Sequence, residues 1–241
     1  MLELNLIIPA AGNGQRFVDC GYKEPKPFLP LNGKKMIECV IENIKPTNIK
    51  TNVILLVRAE HIDQYKDVFE KMPYDVQLVP VVKTTEGAAC TILLARKFVK
   101  NIDSQPLLIA NSDQLVDYDA DLFVKKNILN HTASIITMQA TESKWSFVGR
   151  DENGKINRVV EKSPISSEAT VGIYFFPEGR QFINGAVDMI ARNKRVNNEF
   201  YVAPVFNELI QDNLSVDTWA STGFFGLGTP EDYERYLVPC V

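Results

Sequence analysis

The chain has 241 residues, of which 45% are hydrophobic and 23% are charged, and its formal net charge is −4. This balance fits one globular domain with a sizeable core, and it argues against a general binder of nucleic acid or membrane surfaces, because no basic run interrupts it. No apolar run approaches the roughly 20 residues that span a bilayer, and the N-terminus lacks a signal-peptide pattern, so we expect a cytoplasmic protein without membrane insertion.

The first half of the chain alternates strands and helices. Residues 4–8 are apolar without alternation, which predicts a strand buried on both faces that ends at Pro9. Further strands are expected at residues 52–57, 76–82 and 107–110, with helices at 36–44, at 59–71 and in a segment that ends at 99. This order predicts an α/β fold with a mainly parallel sheet and helices on both faces. The loops that begin at Pro9, Lys83 and Asn111 should then open at one edge of the sheet.

The second half of the chain is mixed. Strands are expected at residues 134–138, 146–149, 156–160, 170–176 and 215–220, and helices at 179–192 and 203–211. Asn153-Gly154 lies between two strand-like runs and predicts a hairpin. A last helix should begin at Thr229-Pro230, with threonine as its cap. Because no repeat or linker divides the chain, we expect a single domain.

The segment after the first strand suits a polyphosphate. It contains five small or polar residues that let a ligand approach the backbone N–H groups: Ala10, Ala11, Gly12, Asn13 and Gly14. Arg16 follows as a bidentate cation, and Lys26 is held between two prolines. The run is neither a Walker A loop nor a dinucleotide fingerprint, since it lacks Gly-Lys-Ser/Thr and a third glycine.

Asp113 is the candidate metal ligand. It follows the apolar strand at residues 107–110, at the edge of the sheet where ligands are expected. A carboxylate is costly there unless it is paired or bound to a metal. A turn or a helix cap is the structural alternative for this residue.

The combination of Gly12-Asn13-Gly14-Gln15-Arg16 with Pro25-Lys26-Pro27-Phe28-Leu29-Pro30 resembles the sugar-nucleotide pyrophosphorylase family, whose members are nucleotidyltransferases that activate sugar phosphates. The resemblance implies a Rossmann-like, GT-A-like sheet with an inserted β-hairpin region over the acceptor site. It implies catalytic roles for Arg16 and Lys26 on the phosphates, and a Mg²⁺ ion bound by Asp113. Within one domain of residues 1–241, residues 1–130 would bind nucleotide and residues 131–241 the acceptor.

Weaker matches to the same family extend along the chain. Glu86-Gly87-Ala88 resembles the turn that receives the nucleotide base. Three further segments resemble the parts of the family that bind the acceptor, and the residues implied are Glu161, Lys162, Thr170, Gly172 and Glu199.

One departure concerns the metal. Relatives read Trp-x-Asp-x-Gly-Thr-Pro near the C-terminus, and their aspartate is a second metal ligand, whereas this chain has Gly226 at that position. Mg²⁺ would then be held by Asp113, phosphate oxygens and water, or by another carboxylate.

The expected reaction is in-line attack by an acceptor phosphate on the α-phosphorus of a nucleoside triphosphate. Such a reaction depends on positioning and charge neutralisation rather than on a general base. Compact members of the family use CTP, GTP or dTTP and serve capsule and other cell-surface polysaccharides. We therefore expect a nucleoside triphosphate and a sugar phosphate, or a related phosphorylated small molecule, as partners. The apolar pair Phe224-Phe225 is a candidate surface for a homo-oligomer.

Two other functions remain open from the sequence. A GT-A-type glycosyltransferase that uses a nucleotide sugar shares this kind of sheet and a metal-binding aspartate. A non-catalytic, nucleotide-binding regulator would retain the phosphate loop without turnover. Transfer from a sugar nucleotide without a triphosphate would favour the first, and tight nucleotide binding without turnover would favour the second.

Overall fold

A computed structural model describes residues 3–238. In that part of the chain, the strands are β1 (Leu4–Ala10), β2 (Pro30–Leu31), β3 (Lys34–Lys35), β4 (Thr51–Arg58), β5 (Val76–Val81), β6 (Leu107–Ala110), β7 (Gln114–Asp117), β8 (Ala133–Gln139), β9 (Ser146–Arg150), β10 (Ile156–Glu161), β11 (Glu168–Phe176), β12 (Val216–Ala220) and β13 (Gly223–Gly226).

The helices are α1 (Gln15–Asp19), α2 (Met36–Ile44), α3 (Ala59–Gln64), α4 (Lys66–Glu70), α5 (Ala88–Leu93), α6 (Ala120–Leu129), α7 (Gly179–Ala191), α8 (Phe206–Gln211) and α9 (Pro230–Leu237). Short 3₁₀ turns cover Lys26–Phe28 and Ala203–Val205. No helix within residues 3–238 is long and apolar enough to cross a membrane.

The central sheet has nine strands, and its main path runs β10-β9-β11-β6-β1-β4-β5, with β8 and β12 attached beside β11. The pairs among β6, β1, β4 and β5 are parallel, whereas β11 is antiparallel to both β6 and β8. The prediction of a mainly parallel first half followed by a mixed second half is confirmed. Because β6 pairs with β11, one continuous sheet joins the two halves.

Helices cover both faces of this sheet because its strands are apolar on both sides. In β1, Leu4, Leu6 and Ile8 face the core that contains α2 and α9, and Ile7 faces the core that contains α5, α7 and α8. The predicted helix at residues 36–44 is confirmed as α2. The residues of its apolar face are fully buried, namely Ile37, Val40, Ile41 and Ile44.

The first strand is longer than expected. Pro9 was expected to end it, but β1 continues to Ala10 and pairs with β4 over that whole length. Its pairing with β6, the neighbour on the other side, stops at Ile7. Pro9 therefore lies beyond the ladder to which a backbone N–H at this position would contribute, so its missing donor interrupts no sheet hydrogen bond.

The prediction of a single helix at residues 59–71 is wrong. The chain forms α3 and α4 with a break at Tyr65, where φ is −116° and ψ is 25°. The Tyr65 ring stacks on Phe28 with a centroid separation of 3.7 Å. This tertiary contact accompanies the interruption, which the local sequence pattern does not reveal.

The helix that was expected to reach residue 99 ends at Leu93. Beyond it, the N–H groups of Ala95 and Phe98 donate to the carbonyls three residues earlier. The backbone groups that follow form hydrogen bonds with side chains instead. Asn5 accepts from the Lys100 N–H at 2.9 Å and donates to its carbonyl at 3.0 Å, while Asn52 donates to the Phe98 carbonyl. Buried amides from β1 and β4 thus satisfy backbone groups of the segment that follows α5.

Elements of the second half largely follow the prediction. Strands β9 and β10 form the expected antiparallel hairpin around Asn153-Gly154. Thr229 caps α9 by accepting from the Asp232 N–H, with Pro230 at the first helical position. The helix expected at 203–211 begins instead as a 3₁₀ turn, and β13 was not predicted, nor was its partner β7 in the first half.

Candidate active site

A cleft of about 510 Å³ lies at the carboxyl ends of the parallel strands. Residues from the three predicted loops line it, and the second half of the chain supplies its opposite wall. Of the sixteen predicted site residues, those that line the cleft are Ala10, Ala11, Gly12, Arg16, Lys26, Gly87, Ala88, Asp113, Glu161, Lys162, Thr170, Gly172 and Glu199. The structure thus brings most of the candidates to one place.

Two residues of the phosphate loop lie outside the lining of the cleft. The Asn13 side chain accepts a hydrogen bond from Arg58 at 3.1 Å, which ties the loop to the end of β4. Gly14 adopts a φ of 60° at the N-cap of α1. Glycine permits this left-handed turn, which leads the chain into α1 and Arg16.

The two predicted cations differ in their surroundings. Among residues 3–238, the Arg16 guanidinium has no hydrogen-bond or ion-pair partner, so it is free to meet a ligand in the cleft. Lys26 is half-buried, and its Nζ lies 2.6 Å from Asp113 Oδ2. The two cations and Asp113 form a charged floor on which an anionic ligand can be neutralised.

Asp113 is the described carboxylate that fits a Mg²⁺ ion at this floor. No group of three or more His, Cys, Asp or Glu side chains within residues 3–238 is arranged to hold a metal by itself. Mg²⁺ is commonly bound by one or two carboxylates together with substrate phosphates and water. A single carboxylate in an open, polar cleft meets that requirement once a triphosphate is present.

Gly226 is not the nearest glycine to this carboxylate. It lies opposite Gln114 in the β7–β13 pair, and a Cβ added there would meet only the Phe224 ring within 4 Å. A Cβ at Gly228 would instead stand 3.2 Å from Asp113 Oδ2. The absence of a side chain at Gly228 therefore leaves room for the Asp113 carboxylate.

The turn at residues 86–89 is bound to the backbone of Phe200. Phe200 donates to the Glu86 carbonyl at 2.7 Å, and Ala89 donates to the Phe200 carbonyl at 3.0 Å. Gly87 has a φ of 114°, and a Cβ there would lie 2.5 Å from the Phe200 oxygen, so glycine is required. Glu86, the third predicted site residue outside the lining of the cleft, pairs with Arg195.

Glu161 is buried in the acceptor-side wall. It is 9% exposed and accepts a short hydrogen bond from Ser146 across the β9–β10 hairpin. Burial raises the pKa of the Glu161 carboxyl above its usual value, although the Ser146 hydrogen bond opposes the shift. A buried carboxyl on the wall of a polar cleft is suited to hold a ligand hydroxyl.

Lys162, Tyr201 and Glu199 form a connected group beside Glu161. Lys162 has a left-handed φ of 56° and donates a short hydrogen bond to the Tyr201 hydroxyl, which in turn donates to Glu199. Burial, followed by the neighbouring Glu199, raises the pKa of Tyr201 above its usual value. The group places a cation and a carboxylate, joined by a phenol, on one wall of the cleft.

Thr170 and Gly172 line the cleft at an irregularity in β11. The register between β11 and β8 shifts between Thr170 and Tyr174, and Gly172 within the shift has a φ of 78°. Its carbonyl accepts from the Asn111 N–H at 2.9 Å. Such a bulge redirects side chains next to functional sites.

Sequence reasoning missed several lining residues, including Gln114, Lys144, Trp145, Ser146 and Tyr201. Tyr201 had a usable signal, because alternate residues of an extended segment face the same side and Glu199 was already a candidate. Lys144 and Trp145 lie in a turn before β9, and no local pattern points to their place at the cleft.

Comparison with known proteins gives a consistent result for the whole chain. A model of the family described as "Nucleotidyl transferase" matches residues 5–234. D-glycero-alpha-D-manno-heptose 1-phosphate guanylyltransferase of Campylobacter jejuni is 28% identical over 246 aligned residues, which cover 98% of this chain and 99% of that protein. The bifunctional protein GlmU of Clostridioides difficile is 21% identical over 92% of this chain, which spans 47% of that longer protein.

Solved structures share the fold. A nucleoside-diphosphate-sugar pyrophosphorylase from Vibrio cholerae superposes with a TM-score of 0.78 at 22% identity, covering 96% of this chain and 99% of that one. An inositol-1-phosphate CTP transferase from T. maritima gives a TM-score of 0.72 at 14% identity, with 96% and 93% covered. At these identities the similarity establishes the architecture, and the Rossmann-like fold prediction is confirmed.

Proposed function

The chain belongs to the nucleotidyl transferase family, and we propose that it joins a nucleoside triphosphate to a sugar phosphate, with release of pyrophosphate. The single observation that carries the proposal is the division of the cleft. Arg16, Lys26 and Asp113 form its floor on one side, and Glu161, Lys162 and Glu199 form the opposite wall. One side suits a triphosphate and the other a phosphorylated compound that carries hydroxyl groups.

In the proposed reaction, an oxygen of the acceptor phosphate attacks the α-phosphorus and forms a new P–O bond. The bond from the α-phosphorus to the bridging oxygen breaks, and pyrophosphate leaves with the electron pair. Arg16 neutralises the phosphate charge that develops on the leaving group, and Lys26 orients the reacting phosphate. A phosphate monoester is already anionic near neutral pH, so positioning and charge neutralisation are sufficient.

Mg²⁺ is proposed as the cofactor, with Asp113 as its protein ligand. When bound, the ion would supply additional neutralisation of phosphate charge. The Lys26 ammonium already contacts Oδ2 of Asp113, and within residues 3–238 no cation pairs with the other oxygen. Asp113 can therefore pair with Lys26 through one oxygen and bind a metal through the other.

GTP and D-glycero-alpha-D-manno-heptose 1-phosphate are the first substrates to test, because the guanylyltransferase cited above matches nearly the full length of both proteins. We further propose a role in cell-surface polysaccharide synthesis, which is supported by that relative's sugar phosphate substrate. A cytoplasmic location is proposed because nucleoside triphosphates are made there.

The decisive assay measures pyrophosphate release with Mg²⁺ for each common nucleoside triphosphate paired with pools of sugar phosphates and of other phosphorylated acceptors. Release that requires one triphosphate and one acceptor supports the proposal. Sugar transfer from a nucleotide sugar without a triphosphate would instead indicate a GT-A-type glycosyltransferase. Nucleotide binding without any turnover would indicate a regulator.

Arg16→Ala tests the role of the unpartnered cation. Loss of a preorganised charge at the phosphates should lower kcat about 10²–10³-fold. The melting temperature should remain near the wild-type value, because Arg16 is exposed and has no partner among the described residues. Arg180→Ala, which removes an exposed arginine outside the cleft, is the matched control. Unchanged turnover in the Arg16 variant would remove this residue from the mechanism.

A further inference from the structure

Phe200 joins the two sides of the cleft. Its neighbours Glu199 and Tyr201 line the acceptor side, and its own backbone N–H and C=O bind the turn at residues 86–89 on the nucleotide side. The contact is close enough to require glycine at position 87. Since both backbone groups of Phe200 are engaged, a shift of this turn must displace Glu199 and Tyr201 as well.

Arg195 contacts both parts of this junction and does not line the cleft. Its guanidinium lies 2.8 Å from the Glu86 carboxylate and 4.4 Å from the centroid of the Phe200 ring. It also donates to Asn193 at 2.6 Å. One side chain, itself 32% exposed, thus contacts both the turn and the segment that the turn binds.

The segment that carries Phe200 is itself a tight hairpin. Val196 and Glu199 exchange two backbone hydrogen bonds of 3.0 and 2.9 Å. The intervening Asn197 and Asn198 have φ values of 47° and 63°, which is the pattern of a type I′ turn. A constrained hairpin of this kind moves as a unit, so it can transmit a displacement from residues 86–89 to Glu199.

We propose that Arg195 is a positioning residue that couples the binding of the two substrates, an inference that rests on the proposed function. A nucleotide that orders the turn at residues 86–89 also fixes Phe200, and thereby holds Glu199 and Tyr201 in place for the acceptor. By thermodynamic reciprocity, the acceptor strengthens nucleotide binding by the same factor. Arg195 touches neither substrate and acts through Glu86 and Phe200.

Calorimetric titrations test this coupling. D-glycero-α-D-manno-heptose 1-phosphate is titrated into the protein with and without saturating α,β-methylene analogue of GTP, or the corresponding pair that the pyrophosphate assay selects. In the wild type, the nucleotide should tighten acceptor binding about 5-fold or more. In Arg195→Gln, this factor should fall to below about 2-fold, while the acceptor affinity without nucleotide changes little. Arg195→Lys should recover part of it, because the charge remains but the planar stack is lost.

Two further variants keep the test decisive. Glu86→Gln breaks the same ion pair from its exposed end and replaces Arg195→Gln if that variant does not fold. Arg180→Gln removes the arginine of another Arg–Glu pair, in which Arg180 Nε lies 2.6 Å from Glu178, and should retain the full coupling factor.

A coupling factor near 1 in the wild type, or the wild-type factor in both Arg195→Gln and Glu86→Gln, would overturn the positioning role. Pyrophosphate release by the same wild-type preparation would leave the proposed function standing in either case. Absence of both binding and release would contradict the proposed function together with the role of Arg195.

Discussion

Gly154 and Gly172 have almost the same backbone conformation in very different surroundings. Their φ values are 79° and 78°, but a Cβ at Gly154 would meet no atom within 4 Å, whereas one at Gly172 would overlap the Asn111 side chain. Substitutions at these two glycines therefore separate the energetic cost of a left-handed conformation from the cost of crowding a neighbour at the cleft.

Gly154→Ala should lower the free energy of unfolding by about 1 kcal/mol, which is the cost of the conformation alone. Gly172→Ala should lower it by about 3 kcal/mol, because displacement of Asn111 adds an overpacking cost. Urea denaturation of both variants measures the difference. Equal destabilisation would mean that Asn111 moves aside freely.

Glu161 should make stability depend on pH. Burial raises its pKa in the folded state, so the folded chain binds the proton more tightly than the unfolded chain does. The stabilisation that the protonated Glu161 gives the folded state is therefore complete below the ordinary carboxyl pKa of about 4.3. It is lost as pH rises through the raised folded pKa.

Glu161→Gln keeps an acceptor for Ser146 but removes the titration. The free energy of unfolding of the wild type minus that of this variant should decrease with rising pH across this window, with a slope of at most about 1.4 kcal/mol per pH unit. Urea denaturation at a series of pH values gives this difference. A difference that does not change with pH would show that burial leaves the Glu161 pKa unshifted.

At the scale of elements, buried amides tie the parallel strands to a loop. Asn52 donates to Asn5 at 2.9 Å and Gln77 donates to Asn52 at 2.8 Å, so the side chains form a row across β1, β4 and β5. Asn5 is fully buried and also binds both backbone groups of Lys100. The loop after α5 is not helical, and Asn5 and Asn52 in this row supply hydrogen bonds to its backbone.

Asn5→Leu should lower the free energy of unfolding by about 3 kcal/mol, because it leaves several buried donors and acceptors unsatisfied. Asn153→Leu, at an exposed hairpin turn, is the control and should change it by less than about 0.5 kcal/mol. Hydrogen exchange of the Lys100 amide should accelerate in the Asn5 variant alone. Unchanged exchange would show that Asn5 does not hold the loop.

The elements also show what local sequence can and cannot predict. Strands β1, β4 and β6 were predictable because they are short apolar runs bounded by turn residues. Strands β7 and β13 were not, since Gln114–Asp117 is partly polar and pairs with a segment more than a hundred residues away. The phosphate loop was similarly recognisable from consecutive residues, whereas Tyr201 and Trp145 reach the cleft only through the folded path of the chain.

At the scale of the molecule, we propose that the chain is one domain whose halves unfold together. The pairing of β6 with β11 makes the sheet continuous, and each of the two cores contains residues from both halves. Trp145 and Trp219, the two tryptophans of the chain, both lie in the second half. Tryptophan fluorescence therefore reports on that half, and far-ultraviolet circular dichroism reports on the whole chain.

The two signals should give the same midpoint in urea denaturation, as expected for a cooperative transition. A control in Arg150→Gln, which removes an ion pair between β9 and β11, should shift both midpoints equally. Midpoints that separate would indicate that residues 1–130 and 131–241 are independent units.

The same β6–β11 pairing has a consequence for synthesis of the chain on the ribosome. Strand β6 is complete at Ala110 and fully buried in the finished protein, yet its antiparallel partner ends only at Phe176. At ~5–20 residues per second, roughly 3–13 seconds pass between the two points. Throughout that interval the nascent chain carries an apolar strand with one open edge, which is a template for pairing with other chains. The edge closes only when β11 emerges and pairs with β6.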